Sequence, residues 1–198
     1  NQAYLLMADI PINAIKIGLL GHADIARAIR KILIQHSNVP VVFDPVLAAG
    51  GGKDLSSLDL IQAINGLLPT ITVLTPNSEE ARKLTGLDDL QECGIKLMTM
   101  GCRYVLITGT HEKSAEVINQ LYYGGSCIKT YAWQRLPHSY HGSGCTLAAS
   151  IAALIARGLT VPDAVAQAQE YTWNALASGF QPGTGQYIPD RFYWLENH

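Results

Sequence analysis

The chain has no Cys-x-x-Cys pair: its four cysteines, Cys93, Cys102, Cys127 and Cys145, stand far apart. That spacing argues against a zinc site. Four cysteines in 198 residues are also too sparse for a small disulfide-framed secreted domain. A reducing, cytoplasmic compartment is expected. Charge is scarce too. Charged residues make up 15%, the formal net charge is −2, and no basic run occurs. Neither nucleic acid nor an acidic membrane is therefore expected as a main partner. No apolar run reaches the ~18 residues that span a bilayer. Residues 1–9 have no basic n-region and no clear cleavage site, so no signal peptide is expected there. No Gly-x-Gly-x-x-Gly follows the first candidate strand, which argues against a dinucleotide-binding dehydrogenase. Internal repeats, low-complexity tracts and dividing linkers are lacking as well.

What is present is a well-buried globular composition, 48% hydrophobic, of a length that suits one domain over residues 1–198. Short apolar runs at 14–18, 39–44, 71–74 and 104–107 read as strands. Helical spacing at 22–35, 58–67, 78–84 and 90–100 separates or follows them. In the first of these helices Ile25, Ile29, Ile32 and Leu33 are expected on one buried face. Gly50-Gly51-Gly52 reads as a flexible loop. Residues 116–123 and 127–135 read as a hairpin turning at Gly124-Gly125, and helices at 145–156 and 162–178 follow. Strands alternating with helices predict an α/β fold with a mainly parallel sheet, the hairpin adding antiparallel strands at one edge.

The polar punctuation falls at strand ends: Asp44-Pro45, Thr75-Pro76-Asn77 and Thr108-Gly109. In open parallel sheets, ligands bind beyond the carboxyl ends of the strands. A fourth segment, His141-Gly142-Ser143-Gly144-Cys145-Thr146-Leu147, places a glycine-rich turn before an apolar helix. The first amides of such a helix lack intrahelical acceptors and carry partial positive charge. They suit a phosphate or a developing anion, so the segment points to phosphoryl transfer. The plainer readings are an ordinary helix entry turn for Gly142–Gly144, a packed thiol for Cys145 and a turn starter for Asp44. Glu79 and Glu80 also read as first-turn carboxylates favoured by the helix dipole, and Asn77 as a helix cap.

Taken in order, Ala14-Ile15-Lys16-Ile17-Gly18, Asp44-Pro45-Val46, Thr75-Pro76-Asn77-Ser78-Glu79-Glu80 and His141–Leu147 resemble the ribokinase-like superfamily. Within it the chain is most similar to the hydroxymethylpyrimidine and phosphomethylpyrimidine kinases of thiamin biosynthesis. The resemblance implies a three-layer sandwich, a mainly parallel central sheet flanked by helices. It implies transfer of the γ-phosphate of ATP, with Mg2+, to a hydroxymethylpyrimidine or its monophosphate, and a homodimer. By position, Gly142, Ser143 and Gly144 would form the anion hole, and Cys145 would stand where sugar kinases of the superfamily carry an aspartate base. Asp44 and Glu80 would serve the metal, and Asn77, Thr108, Gly109 and His141 the nucleotide. Gly18, Leu19, Val46 and Cys145 would face the pyrimidine. A helix N-terminus lowers a thiol pKa from about 8.5, whereas the like charge of a neighbouring phosphate opposes the thiolate, so the two effects compete at Cys145.

Three departures stand out. The family's opening Gly-Ser-Asp-x-Ser-Gly-Gly-Ala-Gly loop does not occur in the sequence, so the domain is expected to be a piece without that N-terminal segment. Leu19 replaces the methionine usual after Lys-Ile-Gly. Ile107-Thr108-Gly109-Thr110-His111 replaces Val-Lys-Gly-Gly-His, removing a lysine near the nucleotide phosphates. Two alternatives remain: a pyridoxal kinase, whose substrate shares a ring bearing a hydroxymethyl group, and a non-catalytic binding module on the same fold.

Overall fold

The computed structural model describes residues 2–48 and 57–195. Its elements are α1 (Gln2–Asp9), β1 (Ile15–Ile17), α2 (Ala23–Gln35), β2 (Val41–Phe43), α3 (Leu58–Asn65), β3 (Val73–Leu74), α4 (Ser78–Thr85) and α5 (Leu90–Thr99). β4 (Tyr104–Thr108), β5 (Glu116–Tyr123), β6 (Ser126–Gln134), α6 (Ser143–Ala156) and α7 (Val161–Ala177) follow. The Gly50–Gly52 segment lies outside the described residues.

The strands line up in chain order, β1 to β6. β1 through β4 pair in parallel, and β5 and β6 are antiparallel. The expected mixed sheet is therefore the observed one. Gly124 and Gly125, at φ 60° and 86°, make the hairpin turn. Two successive positive φ values match the twist of the flanking strands, and glycine adopts them without strain.

Side chains alternate across each strand and so divide the core in two. Phe43, Leu74, Val105 and Ile107 pack with α2, α3, α4 and α5 on one face. Val42, Val73, Leu106 and Leu121 pack with α6 and α7 on the other. Three layers result, with β2 and β3 fully buried between helices, as the interior of a parallel sheet requires. No helix among the described residues is long and apolar enough to cross a membrane.

Several boundaries shift from the expected ones. The strand expected over 71–74 is only Val73–Leu74, because a 3-10 turn at Leu68–Thr70, opened by Pro69, occupies the approach. In α2, Ala23, Ala26 and Leu33 are buried while Ile25 is 49% exposed. Small alanines let the helix sit close to the core, and the buried stripe turns away from Ile25. Helix α1 buries no side chain, so no amphipathic pattern announced it.

Gly94 of α5 packs directly on the sheet. A β-carbon there would sit 2.7 Å from three ring atoms of Tyr122, which is fully buried. Gly94→Ala is therefore expected to destabilise the fold by about 1–2 kcal/mol, because overpacking outweighs the roughly 1 kcal/mol gain in helix propensity. Urea denaturation measures this. A more stable variant would show that the ring moves freely.

Candidate active site

β2, β3 and β4 end on one rim, and the start of α6 lies against it. Asp44 follows β2 directly. Its backbone N–H donates to the Ile17 carbonyl (3.0 Å), which holds the loop after β2 beside β1. A β-carbon built on Gly144 would stand 3.7 Å from both Asp44 carboxylate oxygens. The helix start and the strand-end carboxylate, about a hundred residues apart in sequence, are thus in contact range across the sheet end.

A cavity of about 650 Å³ opens there. Asp44, Val46, Asn77, Glu80, Thr108, His141 and Gly142 through Cys145 all line it. Gly18, Leu19 and Gly109 do not. Leu19 is 55% exposed. Gly109 lies behind the rim: its amide donates to Asn119 Oδ1 (3.0 Å), and a β-carbon would collide with the Ile118 carbonyl.

Asn77 and Glu80 form a reciprocal cap at the start of α4. The Asn77 Oδ1 accepts from the Glu80 amide (2.9 Å), and Glu80 Oε2 accepts from the Asn77 amide (2.9 Å). This arrangement satisfies two otherwise orphaned donors. The second Glu80 oxygen accepts from the Leu47 amide at 3.3 Å. Burial nevertheless raises the Glu80 pKa to about 7, opposed by the Asn77 amide and reinforced by the charge of Asp44.

Asp44 is 5% exposed. Burial raises its pKa, while Lys16, with Nζ 3.8 Å from Oδ2, and the Cys145 thiol pull it back down. Its Oδ2 has no hydrogen-bond partner among the described residues.

At Cys145 the competition between the helix end and opposing effects resolves upward. Its pKa is raised, first by the shelter of the cavity and then by the Asp44 charge, with Lys16 and Arg191 opposing. The helix N-terminus does not prevail, because a carboxylate faces the thiol and opposes a second negative charge. At neutral pH the thiol is protonated.

Gly142, at φ 86°, caps α6 in the left-handed region, which glycine alone enters cheaply. The backbone amides that follow it open toward the cavity rim without a side-chain cap.

Other polar residues also line or brace the cavity. Lys16 stands between Ile15 and Ile17 in a short buried strand. A lone charge in such a run was the available signal. Asn119, 6% exposed in β5, donates to Gln169 Oε1 (2.8 Å), and Trp133 Nε1 donates to the same oxygen (3.1 Å). Gln169 in turn donates to the Val165 carbonyl. The β4–β5 loop is held from both sides. Arg82 pairs with Glu112 (2.7 and 3.1 Å), and Arg135 donates to the carbonyls of Thr110, Glu112 and Ser114. The Arg82 pairing holds Glu112 down at about 2.

A three-layer sheet whose strand ends face an amide-lined helix start across two buried carboxylates defines a ribokinase-like fold. A sequence profile of phosphomethylpyrimidine kinase matches residues 1–190. The chain belongs to that family. It is 33% identical over 187 residues to the hydroxymethylpyrimidine/phosphomethylpyrimidine kinase of Streptomyces coelicolor, covering 89% of this chain and 67% of that one. It is 30% identical to a thiamine biosynthesis bifunctional protein of Geobacter sulfurreducens, covering 93% of this chain but only 39% of that larger protein. Among solved structures it is similar to an ADP complex of Bacillus subtilis pyridoxal kinase. The TM-score is 0.86 at 28% identity, covering 99% of this chain and 76% of that one.

Proposed function

We propose that the chain, as one domain, transfers the γ-phosphate of ATP to 4-amino-5-hydroxymethyl-2-methylpyrimidine, to its monophosphate, or to both in turn. The reaction belongs to thiamine biosynthesis. The observation that carries this reading is the approach of the α6 start to Asp44 across the same cavity that Asn77 and Glu80 line. Phosphoryl transfer demands positioning and charge neutralisation more than covalent chemistry. This geometry offers both.

The amides from Gly142 to Cys145 stabilise charge on the transferred group with donors that are already oriented. Ser143 and His141 border them, and Thr108 and Asn77 lie where nucleotide phosphates enter. Val46 walls the acceptor side beside Cys145. Gly18, behind Lys16, and Leu19 and Gly109, outside the lining, support the site only from its edge.

Mg2+ suits the residues present. Asp44 offers a buried oxygen that makes no hydrogen bond and lies 3.8 Å from Lys16 Nζ, and Glu80 is a buried carboxylate whose ionisation a nearby cation would favour. The described residues contain no cluster of three His, Cys, Asp or Glu side chains that could hold a metal. Mg2+ is commonly held by one or two carboxylates together with waters and phosphate oxygens. When bound, Mg2+ neutralises charge on the phosphates. Cys145 serves as base in its thiolate form, after its own proton has passed to solvent: it then accepts the acceptor hydroxyl's proton as that oxygen bonds the γ-phosphorus and the bond to the leaving ADP oxygen breaks.

Glu80 gives a pH test. Its folded pKa of about 7 stands above the ordinary value of 4.5. A raised carboxylate stabilises the fold below its unfolded pKa and loses that contribution as pH rises to the folded one. The ligand-free protein should lose up to about 3 kcal/mol between these values. The kcat/KM for Mg·ATP should rise along an acid limb near the same folded pKa, since the ionised form serves the metal. Glu80→Gln should remove both slopes and raise the Mg2+ needed for half-maximal turnover about tenfold. An unchanged Mg2+ requirement would take Glu80 out of the metal site.

The likeness to a pyridoxal kinase supports a second reading, phosphorylation of pyridoxal. Comparing kcat/KM for pyrimidine and pyridoxal on the full-length protein decides between the two. A pyrimidine value at least about tenfold higher (1.4 kcal/mol of transition-state preference) is expected. Turnover of pyridoxal alone would replace the proposal.

The same reading carries a cytoplasmic homodimer. Leu5, Leu6 and Ile10 at α1 are 72%, 51% and 47% exposed, which supports an interface there. Sedimentation equilibrium measures it.

A further inference from the structure

The segment after α7 returns to the start of α6 and brings Arg191 with it. The Asp190 amide donates to the Ala175 carbonyl (2.8 Å), and the Tyr171 hydroxyl donates to the Arg191 carbonyl (3.1 Å). The guanidinium is also held. Its Nε donates to Thr146 Oγ1 at 3.2 Å, and that hydroxyl donates to the Gly142 carbonyl at 2.8 Å. Thr146 is 4% exposed, so the anchor is firm. One outer nitrogen, Nη2, lies 3.2 Å from the position a Gly142 β-carbon would take. Gly142 thus needs no side chain for two reasons: its positive φ and the close approach of Arg191.

This placement is electrostatically odd. Cations favour helix C-termini, where the dipole is negative. Here a guanidinium lies along the first turn of α6, and no carboxylate among the described residues forms a salt bridge with it. Nε is spent on Thr146, while the outer nitrogens keep their paired donors, the geometry that suits phosphate oxygens. Asp44, nine-tenths buried, has one oxygen without a hydrogen bond and with only Lys16 Nζ, 3.8 Å away, to balance it, so charge at this turn is incompletely satisfied by its own neighbours.

We propose that Arg191 contacts a phosphoryl group at the Gly142–Cys145 turn and supplies the full positive charge that the amides supply only in part. The inference rests on the kinase reading above. The phosphoryl group has two sources, the γ-phosphate in transfer or the phosphate already on a monophosphate acceptor, and kinetics separate them.

Arg191→Gln and Arg191→Lys are assayed with the alcohol and with the monophosphate. Affinity for Mg·ADP is measured with and without aluminium fluoride, a mimic of the transferring group. If Arg191 meets the transferring phosphoryl, Arg191→Gln lowers kcat about a hundredfold on both acceptors. It also abolishes the tightening by aluminium fluoride and leaves Mg·ADP affinity within twofold. If it meets the acceptor's phosphate, KM for the monophosphate rises about tenfold or more, and the alcohol is unaffected. In either case Arg191→Lys, which keeps the charge but not the Thr146 anchor, recovers part of the loss.

Parent kinetics on both acceptors would overturn the proposal. So would a loss that tracks a lower melting temperature and weaker Mg·ADP binding, with no recovery in the lysine variant, because a mere tail anchor behaves that way. If the parent protein phosphorylates neither pyrimidine, the kinase reading fails. The aluminium fluoride comparison then decides the role of Arg191 alone: persistent tightening in Arg191→Gln, or no tightening in the parent, removes it.

Discussion

Replacing Gly144 with valine is expected to reduce phosphate transfer by about a hundredfold or more while leaving helix content at the parent level. The reason is local. A first carbon at this position would meet both Asp44 oxygens at 3.7 Å, an ordinary contact. The γ-carbons of valine reach further, into the space between the helix amides and the carboxylate. A phosphoryl group then cannot approach both at once. Gly144→Ala, which adds only the tolerated carbon, should fall between parent and valine. Helix content is spared because Gly144 sits inside the first turn of α6 without a left-handed backbone. Circular dichroism and labelled phosphate transfer, measured on the same samples, check the two halves of the expectation. A valine variant with parent turnover would show that the reacting phosphate lies elsewhere.

Cys145→Ala should have the second large effect. If Cys145 accepts the acceptor's proton, kcat falls about a hundredfold. Nucleotide affinity, which depends on the backbone amides, should stay within about twofold. The raised thiol pKa adds a signature. The resting thiol is neutral at pH 7, so parent activity should still climb as pH rises above the usual thiol range, and the alanine variant should lose that climb. Alkylation of Cys145 should likewise be slow at pH 7 and faster in Asp44→Asn, where the opposing charge is gone. If kcat, affinity and the pH profile of Cys145→Ala all match the parent, the thiol only packs.

The parts of this molecule written in short stretches were readable from sequence. The alternation of apolar runs with helical spacing predicted the mainly parallel sheet with its edge hairpin, because β1, β2 and β3 are short apolar runs each followed by a helix. Gly124-Gly125 could be read as a hairpin turn because that conformation selects glycine. Asp44, Asn77, Glu80 and Gly142–Cys145 could be singled out as candidates, and they line one cavity, because strand ends and helix starts carry their own chemical marks.

Features set by distant partners were not readable. Arg191 meets Thr146 across 45 positions, and Asn119 meets Gln169 across 50. Neither pair has a local signature. Ile25 faces solvent because the alanines of α2, not its isoleucines, set how the helix sits. The direction of the Cys145 shift depended first on burial in the cavity and then on Asp44, about a hundred residues earlier, neither of which the local sequence shows.

The central claim is that the α6 amides, Asp44, Asn77 and Glu80 act together on a nucleotide's terminal phosphate. The most direct measurement uses ATP labelled at the γ-phosphate, the hydroxymethylpyrimidine and the full-length protein, with Mg2+ and with the metal chelated. Label is expected on the pyrimidine with Mg2+ and none without it. Label that stays in ATP, although calorimetry shows nucleotide and pyrimidine both bound, would contradict it and leave a binding module on a kinase fold.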